Sequence, residues 1–145
     1  MNLELLINEF RTIANDHNMI NRFGEGAIGD INIKISDQIK YPILWVIPQG
    51  VTLGDNAYGW NLRVLVFDID RQDDSLRTQI LSDTLMTLND VLKLVKENSN
   101  NDFELQVNPL AIPFEQTFVD YCVGWYCDIT VYSETMNTLC NIPMN

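Results

Sequence analysis

The sequence predicts an α+β fold: a mixed, mainly antiparallel sheet of four to five strands with two helices packed on one face, in the order α-β-β-β-α-β-β. Three observations carry this prediction. A long amphipathic helix lies near Ser75 to Glu97. It stands between two long segments that alternate apolar and polar residues, Tyr58 to Asp70 (YGWNLRVLVFDID) and Phe118 to Tyr132 (FVDYCVGWYCDITVY). Short β–β connections favour antiparallel pairing, and each helix needs an apolar sheet face to cover. No cluster of reactive side chains accompanies this frame, which points to a building part before a catalyst.

In chain order, Leu3, Leu6, Ile7, Phe10, Ile13 and Ala14 recur at three- and four-residue steps, forming one helical stripe. This helix is expected to end near His17–Asn18. The glycine-rich FGEGAIGD follows and reads as a turn. Ile31, Ile33 and Ile35 then alternate with Asn32 and Lys34 as a half-buried strand. After Tyr41-Pro42, the apolar run ILWVI, closed by Pro48, reads as a strand covered on both faces. The segment PQGVTLGDNAYG is dense in turn residues and reads as a loop leading into the Tyr58–Asp70 strand.

The central helix begins after RQDD, where Asp73, Asp74 or Ser75 can cap the first turn and carboxylates meet the positive end of the helix dipole. Its apolar stripe is Leu76, Ile80, Leu81, Leu85, Leu88, Leu92 and Val95, Lys93 and Lys96 favour its C-terminal end, and ENSNND stops it. Phe103, Leu105 and Val107 alternate as a short strand. Asn108-Pro109 and Ile112-Pro113 then break the chain before the last strand. Residues 1–132 read as one domain, and 133–145 as a C-terminal tail ordered by a partner subunit.

A chain of 145 residues suits one domain, which at this size buries roughly 68–70% of its unfolded surface. Its hydrophobic content of 46% and charged content of 20% are ordinary for a globular protein. The net charge of −11 arises from 20 acidic and 9 basic residues, and the basic ones are scattered. Sequence-reading of nucleic acid needs clustered Lys and Arg to release counterions, so it is not expected, nor is an anionic membrane surface. Three cysteines form no disulfide framework. Cys122 and Cys127 stand at an odd offset in one strand, on opposite sheet faces, and reduced thiols in a cytoplasmic setting are expected. The start MNLELLINEF carries Glu4 and Glu9 and lacks a basic segment before an apolar one, so it is not read as a signal peptide. No apolar segment approaches the ~20 residues that span a bilayer.

Gly24-Glu25-Gly26-Ala27-Ile28-Gly29 is a literal G-x-G-x-x-G, but a helix precedes it, a strand follows, and Glu25 would repel phosphate. The dinucleotide fingerprint needs the reverse order. Asp68, Asp70, Asp73 and Asp74 are the densest acidic group, and Asp68 and Asp70 share a strand face. A small metal-dependent hydrolase using these two carboxylates is therefore one alternative, although capping and solubility explain the group without it. His17 is the only histidine and sits near a helix C-terminus, where a partly cationic ring is favourable. No zinc spacing of Cys and His exists. Neither a cofactor nor a resident metal is expected.

Both long strands carry apolar residues on two faces, and two helices cover only one. A neighbouring chain is the natural cover for the other. Tyr126 and Tyr132 share their face with Asp120 and Asp128. Together with Tyr58 and Phe114, these are the residues expected at an interface.

Tyr41-Pro42 before an apolar strand, a strand ending V-F-D-I-D, a helix beginning S-L-R-T-Q-I-L-S-D, Pro113-Phe114-Glu115, and a last strand with Gly124-Trp125 form a familiar layout. It resembles the tail terminator, or tail completion, proteins of tailed bacteriophages and the related ring proteins of head–tail connectors, from about Leu3 to Tyr132. The likeness lies in element order; no single motif is diagnostic. It implies a small α+β protomer that closes into a ring, sixfold on tail tubes or twelvefold in short-tailed connectors. Such a ring contacts portal, adaptor or tail-tube proteins around a channel through which DNA passes without sequence-specific binding. It implies residence in the virion after assembly in the host cytoplasm. A negatively charged channel wall would keep DNA from sticking as it slides. A monomeric protein-binding module using the loop Gln49–Gly59 is the remaining alternative.

Overall fold

Alternating apolar residues lay three long strands side by side at the centre of the molecule. The computed structural model describes residues 3–27, 41–70, 74–97, 103–105, 108–117 and 121–134. Their elements are α1 (Leu3–Asp16), β1 (Arg22–Glu25), β2 (Ile43–Leu53), β3 (Ala57–Ile69), α2 (Asp74–Glu97), β4 (Phe103–Leu105), β5 (Ala111–Thr117) and β6 (Tyr121–Glu134). The strands form one mixed sheet in the order β1-β2-β3-β6, with β4 and β5 both on the outer edge of β6. Only β1 and β2 run parallel; the other pairs are antiparallel. The α+β class and the two helices on one face therefore hold. The sheet has six strands, where four to five were expected. The strand expected over Ile31–Ile35, the caps expected of Asp73, Asp74 and Ser75, and the tail beyond Glu134 lie outside the described residues and side chains. β6 itself runs two residues past the expected boundary at Tyr132.

Two of the strands depart from local pattern. β1 lies inside the glycine-rich segment read as a turn, with Gly24 opposite Trp45. A Cβ on Gly24 would fall within the indole ring, with even Cη2 only 2.9 Å away, so glycine is what lets the ring lie against the strand. The Trp45 indole N–H donates to Gly26 O at 3.2 Å, and Gly26 N–H extends the pairing to Val46 O. β5 holds Pro113 opposite Trp125, a residue tolerated there because β5 is an edge strand. The chain takes six steps from Leu105 to Ala111 while β6 takes four from Val131 to Cys127. Asn108, in the left-handed region at φ 57°, a conformation asparagine adopts more readily than most residues, falls in that excess.

The expected loop Gln49–Gly59 is instead a β-hairpin. A bulge between Pro48 and Gly50 inserts one residue into β2, which flips its side-chain alternation. Before it, Leu44 and Val46 face the helices; after it, Val51 and Leu53 do, opposite Trp60 and Tyr58. β2 is buried from Ile43 to Val46 and exposed from Pro48 to Leu53, so this half of the hairpin is an arm beyond the covered sheet.

The helices fill one face. α1 buries Leu6, Ile7, Phe10, Ile13 and Ala14 as expected, against Leu44, Val46, Leu62, Val64 and Val66 of the sheet. α2 lies otherwise than its leucines indicate. Thr84, Thr87, Leu88, Val91 and Val95 are buried, while Leu76, Leu85 and Met86 are exposed. The threonines tolerate burial because their hydroxyls are satisfied within the helix, Thr84 donating to Ile80 O at 2.7 Å and Thr87 to Asp83 O at 3.0 Å. The Trp125 indole N–H donates to Leu81 O at 2.7 Å, pinning α2 to β6. His17 joins the helices: its Nδ1 accepts Met19 N–H at 3.1 Å and its Nε2 meets Asp90 Oδ2 at 3.1 Å.

The second sheet face also departs from expectation. Ile43, Trp45, Phe67 and Cys122 are 0% exposed and Leu65 2%, with Tyr41, Ile47, Phe114 and Tyr126 packed around them. This apolar half is buried within a single chain and is not left for a neighbour. Cys122 belongs to this cluster and Cys127 to the helix-side core, both as free thiols.

Candidate functional site

Three surfaces concentrate the side chains that can act on something outside the chain. The first is the polar half of the sheet face opposite α1 and α2, helix-free among the described residues. Register sets Arg63 directly opposite Asp128 and Asn61 opposite Thr130. Arg63 Nε donates to Asp128 Oδ1 at 2.8 Å and a terminal nitrogen to Oδ2 at 3.1 Å, a bidentate pair. The guanidinium also lies 4.4 Å from the Tyr126 ring centroid. The hydrogen bond to Asp128 raises the Arg63 pKa above its ordinary value, with partial burial working against it, so the group stays cationic. Thr130 donates to Asn61 Oδ1 at 2.9 Å. This surface is internally satisfied: each charge already has its partner across the strand.

The six residues expected at an interface do not form one patch. Tyr126, Asp128 and Tyr132 share the helix-free face of β6. Tyr126 is half-buried beneath Arg63 and against Phe114, whose ring also meets Phe67 edge-on at 6.0 Å. Asp128 is engaged by Arg63, and Tyr132 is half exposed. Tyr58 lies on the opposite, helix-side face, its ring edge-on to Trp60 at 5.7 Å. Asp120 lies outside the described residues.

The second surface is the arm. On its helix side Val51, Leu53, Tyr58 and Trp60 form one apolar strip, with Leu53 73% exposed at the end. Gly54 N–H donates to Ala57 O at 3.1 Å across the turn, and Asp55 and Asn56 are exposed at the tip.

The third surface is a cleft of about 590 Å3 between α2 and the interrupted edge of the sheet. Leu85, Met86, Leu88 and Leu92 form one wall, and Leu105, Pro109, Ala111 and Cys127 the other, with Lys93 and Lys96 on the rim. Met86 is 67% exposed, and Leu110, next to the lining residue Pro109, is 74% exposed. Leucines assigned to the core by their spacing thus line a surface groove. Cys127, at its floor, is fully buried; burial, and then the Asp128 charge, push its thiol up to about 12. Alkylation of native protein at pH 8 is therefore expected to spare Cys127 and to reach it only on unfolding. Between pH 9 and about 12 the unfolded chain releases a proton that the folded chain keeps, so stability at this site falls as pH rises, by about 1.4 kcal/mol per pH unit. Comparing urea midpoints of Cys127→Ala and the parent across that range measures the difference.

The carboxylates of the hydrolase alternative sit at the end of β3. Asp68 Oδ1 accepts Ile69 N–H at 2.8 Å. The strand ends at Ile69, and Asp70 leaves it as a buried residue whose N–H donates to Tyr121 O at 2.9 Å. No group of three or more His, Cys, Asp or Glu that could hold a metal is found among the described residues. In the G-x-G-x-x-G, Gly24 and Glu25 belong to β1 itself. Among the described residues no helix is long and apolar enough to cross a membrane.

The described residues form an α+β fold, a six-stranded mixed sheet with two helices on one face and exposed apolar side chains that include those of the arm and the α2 groove. Comparison of the chain with protein-family models and with curated proteins finds no match.

Proposed function

We propose that the chain is a structural virion protein of a tailed bacteriophage, of the tail terminator or head–tail connector kind. In this reading it forms a homo-oligomeric ring at the head–tail connector or at the end of the tail tube. It joins portal, adaptor or tail-tube proteins around the DNA channel and catalyses nothing. The observation that carries the reading is the pair of separated apolar surfaces, the arm and the α2 groove. A ring is built by joining one patch to a different patch on the next copy. The strong acidity of the chain agrees, because a wall of like charge lets DNA slide without adhering. The element order, with a long helix between the two longest strands, is the layout on which the resemblance rests.

Light scattering after size exclusion tests it. A single closed oligomer is expected, or a monomer that converts to one on mixing with portal, adaptor or tail-tube protein. A chain that stays monomeric at every concentration and joins none of them overturns the reading. A second reading has one observation in its favour: the apolar half of the helix-free face is buried without a neighbour. That is what a monomeric protein-binding module would show, with the Gln49–Gly59 arm as its contact. The same measurement separates the two, since such a module binds its partner one to one.

A further inference from the structure

The arm and the groove are complementary, and the arm cannot reach the groove of its own chain. The groove between α2 and the β4–β5 edge is mainly apolar, with Asn89 and Asn108 one on each wall, and carries Lys93 and Lys96 on its rim. The arm ends in Val51 and Leu53, side by side on one face, followed by Asp55 at the tip. Leu53 is paired through Tyr58 with Ser133 on β6, whereas the groove floor is at Cys127. The far end of the groove is thus six β6 residues away, and its near wall at Leu105, paired with Val131, is two residues away. At both places β2 and the groove lie on opposite sides of the β3–β6 pair. A strand hydrogen-bonded along its length to β3 cannot cross that pair to reach the groove.

We infer that the β2–β3 arm of one copy seats in the groove between α2 and the β4–β5 edge of the next copy, with Leu53 in the apolar cleft and Asp55 at the lysine rim. This rests on the ring reading and deepens it by naming the contact from which the ring is built. Three observations favour a second copy as occupant. The chain carries −11 net charge, so two copies approach most favourably where one presents lysines, and Lys93 and Lys96 mark the groove as such a place. The tip offers apolar residues of the size the cleft holds, since cavities of 300–1,000 Å3 accept groups far larger than two aliphatic side chains. The two patches differ and lie at separate positions, which makes the joint head-to-tail and leaves each copy with one arm and one groove to pass on. The bulge at Pro48–Gly50 is the device that turns Val51 and Leu53 to the side that docks. If the same residues continued in regular register with no bulge, Val51 and Leu53 would face the other way.

The test uses the full chain with a photoreactive phenylalanine analogue in place of Leu53, irradiated under assembly conditions and read by mass spectrometry. The expected crosslinks join the tip to peptides of 85–96 or 105–112 from another copy. Isotopically mixed subunits show that the link is intermolecular. In parallel, Lys93→Glu and Asp55→Lys are each expected to raise the concentration needed for assembly about tenfold, and the two variants mixed are expected to recover part of that loss. Leu53→Asp is expected to abolish assembly; Leu53 is 73% exposed, so an unchanged circular dichroism spectrum keeps the result interpretable. An oligomer whose Leu53 crosslinks fall elsewhere, or which tolerates all three substitutions, overturns the arm-in-groove joint and leaves the ring standing. A chain that never assembles overturns both.

Discussion

Gly124→Ala is expected to lower stability by about 3 kcal/mol or more, a large share of the 5–15 kcal/mol that typically holds a domain together. Gly124 sits opposite Phe67 in the central β3–β6 pair. A Cβ there would collide with the Val66 carbonyl oxygen and lie 2.6 Å from Phe67 Cα. Both obstacles are backbone, so relief cannot come from rotating a side chain. The strands must separate, and separation here loosens β3 from β6 along a register that runs from Ala57–Glu134 to Ile69–Cys122. The helix-free cluster around Phe67 and Cys122 opens with it. Urea unfolding followed by tryptophan fluorescence measures the loss. A cost below about 1 kcal/mol would show that the two strands do not approach as closely as described.

Trp45→Ala is expected to cost about 3–5 kcal/mol, the range for deleting a buried large aromatic side chain. Trp45 is the largest fully buried side chain among the described residues. It centres the helix-free cluster with Ile43, Leu65, Phe67 and Cys122, and its indole N–H is the hydrogen-bonded tie to Gly26 O. Removing it leaves both a cavity and an unmatched carbonyl near the β1 edge. Its coupling to Gly24 gives the sharper test. In the parent, Gly24→Ala pushes a methyl group into the indole and is expected to cost about 1–3 kcal/mol. In the Trp45→Ala background that methyl fills space instead, and its cost is expected to fall near zero. A double-mutant cycle with coupling above about 1 kcal/mol establishes the contact, and additivity would refute it.

What was legible in the sequence was long and periodic. The α1 stripe, the extent of α2, and the strands over 58–69 and 121–132 follow from runs whose burial repeats many times. Elements set by tertiary contact were not legible. β1 has four residues, and its Gly24 admits the ring of Trp45, twenty-one positions further on, whose indole N–H donates to Gly26 O. β5 carries a proline that local rules count against a strand, and only its place at the edge of β6 makes it acceptable. Pro48 and Gly50 looked like loop formers and are a bulge in a continuing hairpin.

The candidate surfaces show the same division. Arg63 and Asp128 stand far apart in the chain, and their pairing depends on a register that periodicity does not reveal. The leucine spacing of α2 marked a core face, yet threonines with internally bonded hydroxyls took that place and left Leu76, Leu85 and Met86 outside. Both strands were rightly read as apolar on two sides. The sequence does not say what covers the second side, and its apolar half is buried in one chain. Exposed apolar side chains lie instead on the arm and along the α2 groove, away from where the strand pattern placed them.

Electron microscopy of the purified full-length chain, alone and with the connector and tail-tube proteins, tests the central claim most directly. The account predicts closed annuli of one symmetry, sixfold or twelvefold, with an axial opening wide enough for duplex DNA. Isolated single-copy particles under both conditions would contradict it.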